Sequence, residues 1–401
     1  MSSNISIDYS EDNKNTTNSI VFDIKGDQEN GLNKSIINGI RRVLLSSIPS
    51  IAFRTDMEHT DIKIIKNTTP LHNEIILHRI SMIPLFINPH IYKRNLLFKL
   101  NVNASSDQPI TKITSEDFDI FPLNDDITIE EEINDIDLHH FSDTPISKED
   151  KDKILRPFNG SYYTDITELK SNNSDIDQSI ELYGIPRISY AYEDARWQAV
   201  SMSTFSFKKD EDLFKKIINE KIKINNIKEE DKYNYVKSLS ISEAERYFHR
   251  DKHCEPYWYT FKIDSVHYHS AKDLFIQANE LLIQQLELFK KNIQNISSEE
   301  SRISFNKINE NIYSIHVQGN DDTIGNIIQS HISKNNVDDI IVCGYKKPHP
   351  LEKIIEFNIS MNTTNHSDEQ NIIKILDIFT STCNEIIIIL SNIISESNNK
   401  L

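Results

Sequence analysis

The chain has 401 residues, enough for two or three domains with a sizeable core. A formal charge of −17 and only 8 glycines argue against a surface built for nucleic acid and against glycine-rich phosphate cradles. The three cysteines, Cys254, Cys343 and Cys383, lie too far apart in sequence for a disulfide framework or a thiolate metal site.

Met1–Asn18 is polar and acidic, so a disordered tail over 1–18 is expected, and no signal peptide. Ile20–Ile24 reads as a strand and Gly26–Gly31 as a turn. Leu32, Ile36, Ile40, Val43 and Leu44 then recur at helical spacing until Pro49. One or two strands are expected between Ile51 and Ile65. Pro70 opens a second helical stretch that carries Leu71, Ile75, Ile76, Ile80 and Ile83 and stops at Pro84.

Composition changes after Asn88. No Lys or Arg occurs between Lys112 and Lys148, so 88–184 reads as an inserted, mainly β subdomain with solvated acidic loops. Trp197–Phe207 returns to strand patterning, and 208–250 is a charged, helical insertion. Tyr257–Val266 alternates like a half-buried strand. A long helix follows, with Ala271, Leu274, Phe275, Ala278, Leu282, Leu286, Phe289 and Ile293 on one stripe.

A polar linker is expected at 296–309, and then the pattern returns in brief. Ile312–Val317 is a strand, Thr323–Lys334 a helix, and Ile340–Gly344 and Ile354–Met361 are strands. The closing helix carries Ile375, Phe379, Cys383, Ile386 and Leu390. Its longest unbroken apolar run, Ile386–Leu390, is far short of the roughly 20 residues that span a bilayer. The expectation is an α+β protein of two modules, each with a sheet packed on helices. The large module is 19–87 plus 185–295 and the small one 310–401, and their long helices pair. That paired core would hold Leu274, Phe275, Ala278, Leu282, Leu286, Phe289, Ile375, Phe379, Ile386 and Leu390.

Two blocks carry a resemblance. Gly31–Pro49 (GLNKSIINGIRRVLLSSIP) and Asn67–Leu85 (NTTPLHNEIILHRISMIPL) are similar to the two leading motifs of the alpha-type RNA polymerase subunits. That family includes bacterial alpha, its archaeal counterpart and the third-largest subunit of eukaryotic polymerase II. Asp322–Asn326 and Gly344–Pro350 resemble the small partner in the same family, the archaeal L protein and the eleventh subunit of polymerase II. At Ala191–Val200 the chain departs from the family, with Asp194 where His is usual. The inserted region has no cysteine cluster between 88 and 190.

The resemblance implies a non-catalytic assembly subunit of a multisubunit DNA-directed RNA polymerase, with its two modules fused as in large DNA viruses. Implied partners are the largest and second-largest polymerase subunits and small accessory subunits. Neither a membrane nor strong direct nucleic-acid binding is implied. Asn38, Arg41, Arg42, Glu74, Arg79, Asn326 and His349 are the candidate interface residues, Arg being suited to bidentate contacts. An intracellular location is implied, in virion and host cytoplasm if viral and otherwise in the nucleus. No cofactor, metal or catalytic residue is expected; His249-x-x-x-His253-Cys254 lacks a second ligand pair. Two other readings exist: a dimerisation adaptor outside transcription, and a carboxylate-based hydrolase that would use the acidic insertion.

Overall fold

The computed structural model describes the chain except residues 1–4, 11–15, 30, 57–58, 106–107, 124–132, 134–137, 172–177, 244–245, 296–301, 310, 336–337 and 363–366. Residues 124–132 and 134–137 of the acidic stretch within 112–148 therefore lie outside the described residues.

The chain opens with β1 (Ser6–Tyr9) and β2 (Ser19–Lys25), which pair antiparallel so that Ile7 faces Ile24. Helix α1 (Lys34–Ser46) follows and buries Ile36, Ile37, Gly39, Ile40, Val43 and Leu44, one wide apolar stripe. Residues 45–201, with 265–270, form a compact unit of their own. In order it holds β3 (Pro49–Ala52), β4 (Ile62–Asn67), α2 (Asn73–Ser81), β5 (Leu96–Asn103), β6 (Ile110–Thr114), β7 (Asp119–Pro122), α3 (Lys148–Ile154), β8 (Asp165–Lys170), β9 (Ser179–Gly184) and β10 (Arg187–Tyr190).

The rest of the chain belongs with the N-terminal segment in the other unit. It runs β11 (Val200–Phe207), α4 (Glu211–Ile224), α5 (Lys232–Ser242), β12 (Trp258–Ser265), α6 (Ala271–Gln294), β13 (Ile303–Asn309), β14 (Ile312–Gln318), α7 (Asp322–Asn335), β15 (Ile340–Lys346), β16 (Ile354–Met361) and α8 (Asp368–Lys400). This unit has two four-stranded sheets, ordered β1-β2-β12-β11 and β13-β14-β16-β15. Each lays an apolar face on a long helix. On the first sheet Phe275 of α6 meets Phe22 edge-on at 4.9 Å, and on the second Phe379 of α8 meets Phe357 at 5.1 Å.

The unit of residues 45–201 and 265–270 is built on the antiparallel sheet β4-β9-β5-β7, with β6–β8 and β3–β10 as two-stranded pairs. Phe53, Phe98 and Phe118 run through its core as successive edge-to-face contacts of 5.3 and 6.1 Å. Asp61 is fully buried there. Its carboxylate accepts two 2.8 Å bonds from Arg187 Nε and one of the same length from the Arg54 backbone N–H, so the charge is compensated.

Three expectations change. Ser6–Tyr9 lies in the stretch expected to be disordered, yet it is a strand, because Ile5 and Ile7 alternate into the core; residues 1–4 and 11–15 lie outside the described residues. Residues 303–309, expected as linker, form β13, anchored by buried Ile303 and paired along β14. The insertion expected at 88–184 sits in a unit that begins near Leu45, because β3 pairs with β10 and β4 with β9.

Candidate functional site

Two helix crossings dominate the unit that holds both chain ends. At the first, α1 meets α7. Both helices begin on a side-chain cap: Asn33 Oδ1 accepts from Ser35 N–H, and Asp321 Oδ1 from Thr323 N–H, each at 2.9 Å. The two run antiparallel. Asn33 Nδ2 donates to Ser330 Oγ at 2.9 Å, Ser35 Oγ to Asn326 Oδ1 at 3.0 Å, and Arg42 Nε to Thr323 Oγ1 at 3.0 Å. Gly39 lies at the centre, where a Cβ would stand 2.5 Å from Ile327 Cδ1. Away from the crossing, Gly325 of α7 packs beneath the ring of Tyr345 on β15, 2.8 Å from where its Cβ would be. The crossing is close because small residues occupy it, and it is held by polar side chains between apolar layers.

At the second crossing α6 lies antiparallel on α8. Phe289 packs against Phe379 at 5.8 Å, Lys290 Nζ donates to Asn384 Oδ1 at 3.0 Å, and Lys272 Nζ to the Asn398 carbonyl at 3.4 Å. All ten residues expected in a helical core, from Leu274 to Phe289 on α6 and from Ile375 to Leu390 on α8, are buried. His331 Nε2 lies 2.9 Å from Glu385 Oε2, which ties α7 to α8 as well. The hydrogen bond from His331 is the main influence holding the Glu385 carboxyl below its usual range.

The expected interface residues divide between the two units. Arg42 and Asn326 bond across the first crossing, and Asn38 and Arg41 lie beside Arg42 on α1. Arg41 is half-buried with Nε on Asn38 Oδ1 at 2.9 Å, and burial, then the neighbouring Arg42 charge, lowers its pKa. Asn326 is exposed on α7, and His349 is exposed in the turn after β15, where its Nδ1 accepts from Leu351 N–H at 3.3 Å. Glu74 and Arg79 belong to the other unit. Their spacing in sequence leaves room for them to pair with each other. Instead, Arg79 Nη1 reaches the Ile166 carbonyl at 2.8 Å, while Glu74 lines an open, polar depression of about 650 Å³ with Asn67, Thr69, Leu71, His72 and Asn73.

Two constellations bring chemistry-bearing residue types together. Ser314, His316 and Glu356 cluster on the second sheet, but Ser314 is buried and its hydroxyl lies closer to Glu356 (3.0 Å) than to His316 (3.3 Å). His249 stacks on Trp258 at 4.8 Å, and among the described residues no group of three or more His, Cys, Asp or Glu is placed to hold a metal ion. The sequence reading missed Asn33, Ser35, Gly39, Thr323 and Ser330. A glycine inside an otherwise helical pattern was the available signal for Gly39.

Comparison with known proteins finds one family in both halves of the chain. Residues 28–286 match the RNA polymerase Rpb3/Rpb11 dimerisation domain, and residues 313–396 match a second model with the same description. A further similarity is to the DNA-directed RNA polymerases I and III subunit rpac1 of Dictyostelium discoideum. It is 29% identical over 112 residues, which is 25% of this chain and 29% of that protein's length.

Proposed function

The chain belongs to the RNA polymerase Rpb3/Rpb11 dimerisation-domain family, and on that premise we propose that it is a non-catalytic assembly subunit of a multisubunit DNA-directed RNA polymerase. In this reading the two modules are fused and pair with each other inside one chain. The pair then presents one platform to the two largest subunits, with small accessory subunits joining it. One observation carries the proposal: α1 and α6, inside the first family match, cross α7 and α8, inside the second, at two tightly packed sites. The amoebal similarity is to a subunit of polymerases I and III, which supports a transcription role over an adaptor outside it.

On this reading Asn38, Arg41, Arg42 and Asn326 rim the platform, and Glu74, Arg79 and His349 are further contact points. The location is the nucleus for a cellular polymerase, or the virion and host cytoplasm for a viral one. Affinity purification of the tagged chain from its native source tests the proposal, with two large polymerase subunits expected in the eluate. Their absence would falsify it. Arg41→Ala with Arg42→Ala should fold normally and enter the polymerase less well. Leu44→Ala, at a fully buried position, should instead cost about 2–5 kcal/mol of stability.

A further inference from the structure

A short loop closes the excursion formed by α4 and α5. Arg250 and Pro256 bridge its base, Asp251 N–H donates to the Glu255 carbonyl at 2.8 Å, and Cys254 takes a left-handed φ of 62°. The loop is wound on the Asp251 carboxylate, whose Oδ1 accepts from the His253 and Glu255 N–H groups at 2.9 Å each. Oδ2 is left for a different partner. Lys334 Nζ, from the last turn of α7, sits 2.9 Å from it. The Asp251 side chain is fully buried and that of Lys334 is 21% exposed.

Gly31 makes room for this pair. Its φ is +70°, and a Cβ there would stand 2.4 Å from Asp251 Oδ2 and 2.9 Å from Lys334 Nζ. Glu255 adds a 3.3 Å ion pair to Lys34 at the start of α1, so one loop touches the start of α1 and the end of α7. Burial works to raise the Asp251 pKa, but the Lys334 ammonium and the loop N–H groups outweigh it and hold the carboxyl below its ordinary range. The geometry therefore commits a buried charge to one lysine of the second family match.

We propose that the Asp251 loop is a clasp that selects this chain's own second module, through Lys334, and fixes it in register on the first. The inference rests on the reading that the two modules pair within the chain. A module without a cation at this position would leave Asp251 buried and unpaired, a penalty that excludes it as a partner. The clasp also gives the excursion at 208–250 a role, since the loop is its closing turn.

The test uses the full chain, folded first and then cut at a protease site introduced within 296–301. Two mass-tagged preparations of cut protein are mixed, and exchange of C-terminal pieces is followed by native mass spectrometry. Wild type should exchange slowly. Asp251→Asn and Lys334→Met should each speed exchange by roughly 100-fold or more, and the double variant should be no worse than either single one. Lys334→Met leaves the loop's own hydrogen bonds in place, so it reports even where Asp251→Asn disturbs the loop. Single variants that exchange at the wild-type rate, or effects that simply multiply in the double variant, would overturn the clasp while module pairing stands. Wild type that separates on cutting would overturn the pairing itself.

Discussion

The α6–α8 and α1–α7 crossings join the same two stretches of chain by opposite means. The first is made of large apolar side chains, with Phe289 against Phe379 and Leu282, Leu286, Ile386 and Leu390 buried around them. The second is made of small residues and hydroxyl, amide and guanidinium groups set around Gly39. Apolar burial is strong but undirected, and a core tolerates repacking when volume is kept. Side-chain hydrogen bonds contribute less and fix geometry more. The large crossing thus supplies adhesion, and the small one sets the angle and register.

Substitutions and acid can break or sharpen this contrast. Phe289→Ala should have the largest effect, a loss of about 3–5 kcal/mol in denaturant unfolding, since the ring is buried against two other phenylalanines. A loss under about 1 kcal/mol would mean that the large crossing is not the adhesive one.

Acid should next separate the crossings from the other unit. His267, in that unit, accepts a 3.2 Å bond from His269 N–H at Nδ1, so its Nε2–H donates to the Pro49 carbonyl at 3.1 Å. Burial pushes its pKa down from 6.5 to about 4. A folded pKa below the unfolded one means the stability is complete above about pH 6.5 and is lost as pH falls towards 4. About 3 kcal/mol should disappear over that window, read by hydrogen exchange in 45–201, and His267→Gln should flatten the dependence.

Gly39→Ala should cost about 1–3 kcal/mol through overpacking on Ile327. Because the clash is with Cδ1, Ile327→Val should return part of that loss in the double variant. Arg42→Ala should be mildest, with a stability change of about 1 kcal/mol or less from losing the bond to Thr323. A larger change in unfolding would show that Arg42 acts in folding rather than at the rim.

The α+β class and the long helices were legible in the sequence because they rest on period. The stripes of α6 and α8 need no partner to be visible, and their expected core residues are buried. Short edge strands carry little pattern: β1 buries only Ile7 and β13 only Ile303, so both look like irregular chain in the sequence. The unit that begins near Leu45 was hidden because β4 finds its partner β9 more than a hundred residues later. The polar crossing keeps helical spacing, with Ser35, Gly39 and Arg42 on α1 and Thr323, Asn326 and Ser330 on α7, but its polar side chains do not stand out from a solvated face in the sequence. Arg79 shows the same limit, since its partner is a backbone carbonyl 87 residues away, which no side-chain spacing can announce.

The pairing of β2 with β12 bears on how the protein is made. Asp23 accepts from Trp258 across 235 residues, so the first sheet cannot close until nearly two thirds of the chain has left the ribosome. At roughly 5–20 residues per second, that is a wait on the order of ten to fifty seconds. Most of the other unit, 45–201, emerges during the wait and can fold, while Ile20, Phe22 and Ile24 have only the short β1 to cover them. Slow translation between β2 and β12 would lengthen the exposure of this hydrophobic hairpin.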